Sequence, residues 1–156
     1  SYDLDQGITQ KSFKSIIIDS KGKIWIGTLD GGIICFDGKY FTYYTIFQGL
    51  NSNSILSLFE SKNGIIWAGT KDGLHKIEGN NLNIYTQKQG LVNDVIYSIC
   101  ENKAGVLWLG TQKGISSFIN GEFTWITRAD GLTSNKILSC FVDSKDILWI
   151  GTREKV

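Results

Sequence analysis

The chain contains no methionine, one histidine and only three cysteines in its 156 residues. No stretch approaches the roughly 18 consecutive apolar residues of a membrane-spanning helix. No signal peptide opens the chain either, so this segment is not expected to contact a membrane. Without methionine there is no initiator, and the chain is expected to be a processed product or an excised piece. An excess of either charge is also missing: 16 Lys+Arg against 15 Asp+Glu leave +1. Nucleic-acid binders carry a basic excess that neutralises phosphates, so salt-sensitive DNA or RNA binding is not expected. The lone His75 excludes a His-rich metal site, and a Ser-His-Asp triad could be built only around it. Cys35, Cys100 and Cys140 are odd in number and have no CxxC or other metal spacing. Cys100 and Cys140 lie in apolar runs, which predicts inert core thiols rather than a disulfide framework. No cofactor or metal is implied.

The chain does have apolar content, 42%, enough for a core and too much for wholesale disorder. It also has repetition. Trp25-Ile26-Gly27-Thr28 returns as Trp67-Ala68-Gly69-Thr70, Trp108-Leu109-Gly110-Thr111 and Trp149-Ile150-Gly151-Thr152, with the tryptophans 42, 41 and 41 residues apart. Gly7-Ile8, Gly49-Leu50, Gly90-Leu91 and Gly131-Leu132 keep the same beat, each glycine 18 residues before its tryptophan. A multi-point pattern recurring four times is a structural repeat.

Each unit reads as four short strands. In the second copy these are Ile55–Phe59, Ile65–Thr70, Leu74–Ile77 and Leu82–Tyr85, separated by turns at Lys62-Asn63-Gly64, Lys71-Asp72-Gly73 and Glu78-Gly79. Asp37-Gly38 and Asn120-Gly121 occupy the last of these turns elsewhere, and such pairs supply the positive φ of tight hairpins. The first strand is apolar at nearly every position, as in Ile96-Tyr97-Ser98-Ile99-Cys100, so it needs cover on both faces. An antiparallel meander of about 40 residues with two apolar faces must stack on copies of itself, which is a propeller blade. The sequence therefore predicts an all-β partial propeller of about three and a half blades. Their bounds are 8–48, 49–89, 90–130 and a half blade at 131–152, and 1–7, with Tyr2, is the tail of a preceding blade.

Residues needed identically in every blade are packing residues. The tryptophans are expected to fill the gap between sheets while each N–H finds a carbonyl. The threonines are expected to hydrogen-bond into the adjoining turn. Ser15, Ser57, Ser98 and Ser139 read as small packing residues. His75, in a column with Ile34 and Ser116, reads as a surface residue.

Ile137-Leu138-Ser139-Cys140, Leu148-Trp149-Ile150-Gly151-Thr152 and Gly114-Ile115-Ser116-Ser117-Phe118 resemble the two-component regulator propeller repeat. The resemblance covers almost the whole chain. It implies seven-bladed propellers, often in tandem, in the extracytoplasmic sensor region of bacterial histidine kinases, commonly hybrid kinases that respond to glycans. The implied function is ligand sensing without catalysis, the signal passing to a kinase outside this chain. The alternatives are a protein-interaction platform or a propeller hydrolase or lyase, for which no paired carboxylates stand out.

Function should lie in loops whose residues differ between repeats. The fourth-to-first and second-to-third links share one face of a propeller, and their candidates are Gln48, Asn51 and Asn53, then Asn93 and Asp94, then Arg128, Asp130 and Asn135. Amide, carboxylate and guanidinium groups suit an oligosaccharide or other small polar ligand. Asn53, Asp94 and Asn135 share a column, where Asx turns compete with a binding role. Arg128 and Asp130 break the column pattern and are the stronger candidates. Finally, uncovered terminal blades would expose apolar faces and open sheet edges, so self-association is expected unless the piece comes from a longer folded chain.

Overall fold

The computed structural model describes residues 12–79 and 81–153. The tail expected over 1–7 and the first marker, Gly7-Ile8, lie outside the described residues. The described chain forms three four-stranded antiparallel sheets and one two-stranded sheet, each a meander in sequence order. Blade 1 holds β1 (Phe13–Ile18), β2 (Ile24–Thr28), β3 (Ile33–Phe36) and β4 (Phe41–Tyr44). Blade 2 holds β5 (Ile55–Glu60), β6 (Ile66–Thr70), β7 (Leu74–Glu78) and β8 (Asn81–Tyr85). Blade 3 holds β9 (Ile96–Glu101), β10 (Leu107–Thr111), β11 (Ile115–Ile119) and β12 (Glu122–Ile126), and a half blade adds β13 (Ile137–Val142) and β14 (Leu148–Thr152). The expected all-β propeller architecture is the one the chain adopts.

The first strands β1, β5, β9 and β13 lie side by side, one per blade, and the cores form between blades rather than within them. Trp25, Ile33, Leu50, Ile55 and Leu58 join one cluster across blades 1 and 2. Trp67, Leu74, Leu91, Ile96 and Leu109 join another across blades 2 and 3. The repeated glycine after each tryptophan permits this approach. A Cβ on Gly69 would overlap the Ser57 hydroxyl and stand 2.8 and 2.9 Å from Cγ2 and O of Ile96 in the next blade. Ser57 thus keeps its column small for a steric reason. Ser15 does more, its hydroxyl accepting the Leu58 N–H at 3.1 Å across the blade boundary.

Each tryptophan is covered by the blade that follows it. Trp25 and Trp67 are therefore buried under complete blades, Trp108 is half-buried under the half blade, and Trp149 is exposed at the end of the stack. Trp25 and Trp67 are 5% and 4% exposed, Trp149 59%. Their N–H groups correct the sequence reading: the partner is a carboxylate, not a carbonyl. Trp25 and Trp149 donate from Nε1 to Asp19 and Asp143 Oδ2, both at 2.9 Å. Those aspartates sit in the first-to-second-strand turn, where they also accept backbone N–H groups two and four residues on. Blade 2 has Ser61 in that column, and the buried Trp67 Nε1 has no partner among the described residues. Ser61→Asp is therefore expected to stabilise the chain by roughly 1.5 kcal/mol, the low end for a hydrogen bond to a charged group. Urea unfolding checks it; a lowered midpoint would mean that carboxylate desolvation outweighs the new bond.

The threonines act as expected. Thr28, Thr70 and Thr111 donate to the carbonyls of Gly32, Gly73 and Gly114 at 2.9, 2.9 and 2.7 Å, closing each second-to-third-strand turn.

Candidate functional site

The links from each fourth strand to the next first strand are more ordered than their polarity suggests. Each contains one turn of 3-10 helix, at Ile46–Gln48, Gln87–Gln89 and Arg128–Asp130. A threonine caps each turn: the N–H groups of Thr45, Thr86 and Thr127 donate to Gln48 Oε1, Gln89 Oε1 and Asp130 Oδ2 at 3.1, 2.8 and 2.9 Å. The Thr-x-x-Gln/Asp spacing is a capping box that the sequence already displayed. The repeated Gly-Leu pair ends the turn. Gly49, Gly90 and Gly131 take φ of 103°, 111° and 110°, a left-handed cap that L side chains resist. Leu50 and Leu91 then plug the core.

These contacts give nearly every candidate polar side chain a local partner. Asn53, Asp94 and Asn135 each accept, through Oδ1, the N–H of the residue seven positions back: Ile46, Gln87 and Arg128, at 2.9, 2.7 and 2.6 Å. This column staples the link rather than making a local Asx turn. The short turn belongs one residue earlier, where Ser52, Asn93 and Ser134 accept from Ser54, Val95 and Lys136. Asp130 does not break a pattern, because it does for Thr127 what Gln48 and Gln89 do for their threonines. The Thr127 N–H and hydroxyl hold the Asp130 carboxyl below its ordinary value. Arg128 is exposed, and among the described residues its guanidinium has no hydrogen-bond or ion-pair partner.

The fourth-to-first and second-to-third links do share a face, and they interlock. Gly32 N–H donates to Asn53 O, Gly73 N–H to Asp94 O, and Lys71 N–H to Ser54 O. Between two such links lies a cleft of about 570 Å³, lined by Asn51, Asp72, Gln87, Lys88 and Asp94 among others. Of the candidates, Asn51 and Asp94 meet here. Asn53, although in the same link as Asn51, does not line it, and Arg128, Asp130 and Asn135 belong to the next link and do not converge on it.

Beneath the cleft is a residue the sequence reading misplaced. His75 is buried, not on the surface, with 0% exposure. It stands on β7, the third strand of a blade covered on both faces. Its Nε2 accepts the Asn51 N–H at 3.0 Å, just as Ser116 Oγ accepts the Val92 N–H at 3.2 Å one blade on. Burial pulls the imidazole down to about 4, although the Gly73 backbone and the Asp72 carboxylate favour the charged form. The Asn51 amide also reaches Asp72 O at 3.4 Å, so Asn51 and Asp72 line the cleft and the buried His75 supports its floor from beneath.

The opposite face carries a zipper that sequence reasoning missed. Ser20 and Lys62 N–H groups donate to Glu60 and Glu101 of the following blade, both at 2.8 Å. In the third pair Val142 replaces the glutamate, and Asp146 takes the Lys103 N–H at 2.8 Å instead. The signal was a charged residue closing the first strand in the two central copies. Among the described residues no His, Cys, Asp or Glu cluster could hold a metal ion.

The model of the two-component regulator propeller matches residues 7–30, 49–72, 90–113 and 131–154, one stretch in every repeat. The chain belongs to the two-component regulator propeller family. Among solved structures it is similar to the extracellular domain of a protein described as a hybrid two-component system from B. thetaiotaomicron. That match has 27% identity and a TM-score of 0.88, and it covers 97% of this chain and 22% of that one. Virginiamycin B lyase from Staphylococcus aureus is similar at 20% identity and a TM-score of 0.74, over 90% of this chain and 49% of that one. PorZ, a bacterial surface component of the type-IX secretion system of Porphyromonas gingivalis, is similar at 18% identity and a TM-score of 0.71, over 97% and 27%. The likenesses below 25% identity bear on the fold. No curated protein matches the sequence. The chain thus spans about a fifth of the two-component relative and half of the lyase. No helix among its described residues is long and apolar enough to cross a membrane.

Proposed function

We propose that this propeller segment is part of the extracytoplasmic sensor region of a bacterial two-component histidine kinase. It binds a glycan or other small polar ligand on the link face and passes the signal to a kinase outside the chain. The observation that carries this reading is the family repeat, present in all four units, together with a blade-for-blade likeness to an extracellular domain of a two-component system. The cleft supports the ligand class, since amide, carboxylate and ammonium groups face one concave space and match hydroxyl-rich molecules. Arg128 supports it as an exposed, locally unclaimed donor in the next link. No catalytic role is proposed: the one histidine is buried as a neutral acceptor.

The test uses the complete sensor. Arg128→Ala with Asp130→Ala is expected to reduce the ligand response at least tenfold, read as kinase output against ligand concentration. An unchanged response would remove this link from the site. The polypeptide around the segment is expected to carry a membrane helix and a histidine-bearing dimerisation helix downstream.

We further infer self-association of the isolated chain through its end faces. Ile16 and Ile18 on β1 are 67% and 69% exposed, and Phe141 and Trp149 on the half blade 64% and 59%. Such faces are apolar enough to favour cover. Light scattering at high micromolar concentration is expected to give a mass above the monomer's. A cooperatively unfolding monomer there would overturn it.

A further inference from the structure

We propose that Cys100 and Cys140 form a redox-active dithiol that closes into a disulfide between the first strands of blade 3 and the half blade. The positions are a fixed point of inter-blade contact. Cys100 occupies the column of Ile17 and Phe59, each opposite its blade's tryptophan in the ladder. Cys140 occupies the column of Leu58 and Ile99, one step away on the next blade. At the two earlier boundaries the matching diagonal pairs are Ile17 with Leu58 and Phe59 with Ile99, partners in the two inter-blade cores. Only at the third boundary are both members thiols.

The thiols meet there. The Cys140 thiol donates to the Trp108 carbonyl at 3.4 Å, and Trp108 is the residue directly opposite Cys100. The two thiols are close enough for each to shift the acidity of the other. Their environments differ. The Cys100 thiol, and to a lesser degree the Gly110 backbone, hold Cys140 below the ordinary thiol range despite burial. The Cys140 thiol and burial push Cys100 up. Cys140 is half-buried and Cys100 buried, so access follows the same order as acidity. Cys35, on β3 of blade 1, is buried and pushed up by burial, with no thiol beside it.

With a small disulfide as oxidant, the Cys140 thiolate attacks one of its sulfurs and releases a thiolate, leaving a mixed disulfide on Cys140. Cys100 loses its proton, attacks the Cys140 sulfur and expels the second thiolate. One disulfide is consumed, one is formed, and two small thiols leave. The bond would add a covalent tie between two blades that packing and the hydrogen bonds of Lys103 to Asp146 and Ser144 already hold together.

The folded, reduced chain is treated with oxidised glutathione, quenched in acid, denatured, alkylated and read by intact and peptide mass. The expected product is two hydrogens lighter, carries one alkylated thiol at Cys35, and yields a cross-link between the Cys100 and Cys140 peptides that dithiothreitol reverses. Three alkylated thiols, a cross-link through Cys35, or glutathione retained on Cys140 would each overturn the proposal. The variants separate the roles. Cys100→Ser is expected to accumulate the Cys140 mixed disulfide, and Cys140→Ser to leave Cys100 unmodified under native conditions. The opposite pattern would overturn the assignment of Cys140 as attacking thiol. The wild-type cross-link decides the pairing even where a variant does not fold.

Discussion

Trp67→Ala is expected to destabilise the chain by about 3–5 kcal/mol, the range for deleting a large buried aromatic. The ring is 4% exposed and lies edge-on to Phe118, with centroids 5.5 Å apart, and tilted against Tyr85 at 6.2 Å. Both neighbours pack onto Phe123, so the deletion would open an aromatic cluster that joins blades 2 and 3. The same substitution at Trp149 is expected to cost less than about 1 kcal/mol, because that ring is 59% exposed. Urea unfolding of the two variants checks the contrast. Equal losses would mean that the tryptophan column acts within its own hairpin and not between blades.

Acidification is expected to weaken the fold through His75 in a window of its own. The imidazole titrates at about 4 in the folded chain, and near 6.5 once unfolded. Between those values the unfolded state binds a proton that the folded state refuses, so stability is complete above pH 6.5 and falls as the pH drops toward 4. The full shift corresponds to about 3 kcal/mol. Protonation also abolishes the Nε2 acceptor that holds the Asn51 N–H, so the cleft floor is where the strain appears. The carboxyls of Asp19, Asp37, Asp130 and Asp143 are all held below their ordinary value. Their stabilisation is lost only at still lower pH, which keeps the two windows apart. His75→Ser copies Ser116 and does not titrate. Its unfolding free energy is expected to change little between pH 7 and 4.5. A variant that loses as much as the wild type across that range would exonerate His75.

Blade number, strand order and turn positions could be read from the repeat because each rests on local rules. Gly at a positive-φ turn, an apolar first strand and a fixed 41-residue beat act within one unit. The functional residues were less legible. Asn53, Asp94 and Asn135 looked like candidate ligand groups or Asx turns, and they turned out to reach back seven residues to a helical turn that polarity had hidden. Asp130 looked singular because it differs in type from Gln48 and Gln89, yet carboxylate and amide oxygens cap the same threonine N–H. His75 looked exposed because its column is variable, whereas Ile34, His75 and Ser116 all sit fully buried. A column can vary when each of its side chains fills the same space, and two of the three also accept the same backbone hydrogen bond.

By itself the sequence determined the all-β class, the repeat, the blade as its unit and the resemblance to a family. These follow from periodicity, turn chemistry and apolar patterning, which act over a few residues. Only the tertiary structure decided which tryptophan is covered, that Ser61 leaves an indole N–H unpaired, and that Asn51 and Asp94 share a cleft. It alone brought Cys140 over the Cys100–Trp108 pair, 32 residues from the carbonyl that its thiol bonds. Those outcomes depend on how one blade lies against the next. That arrangement is set by side chains some 41 residues apart in the chain and a few ångströms apart in space, a separation that no local pattern encodes.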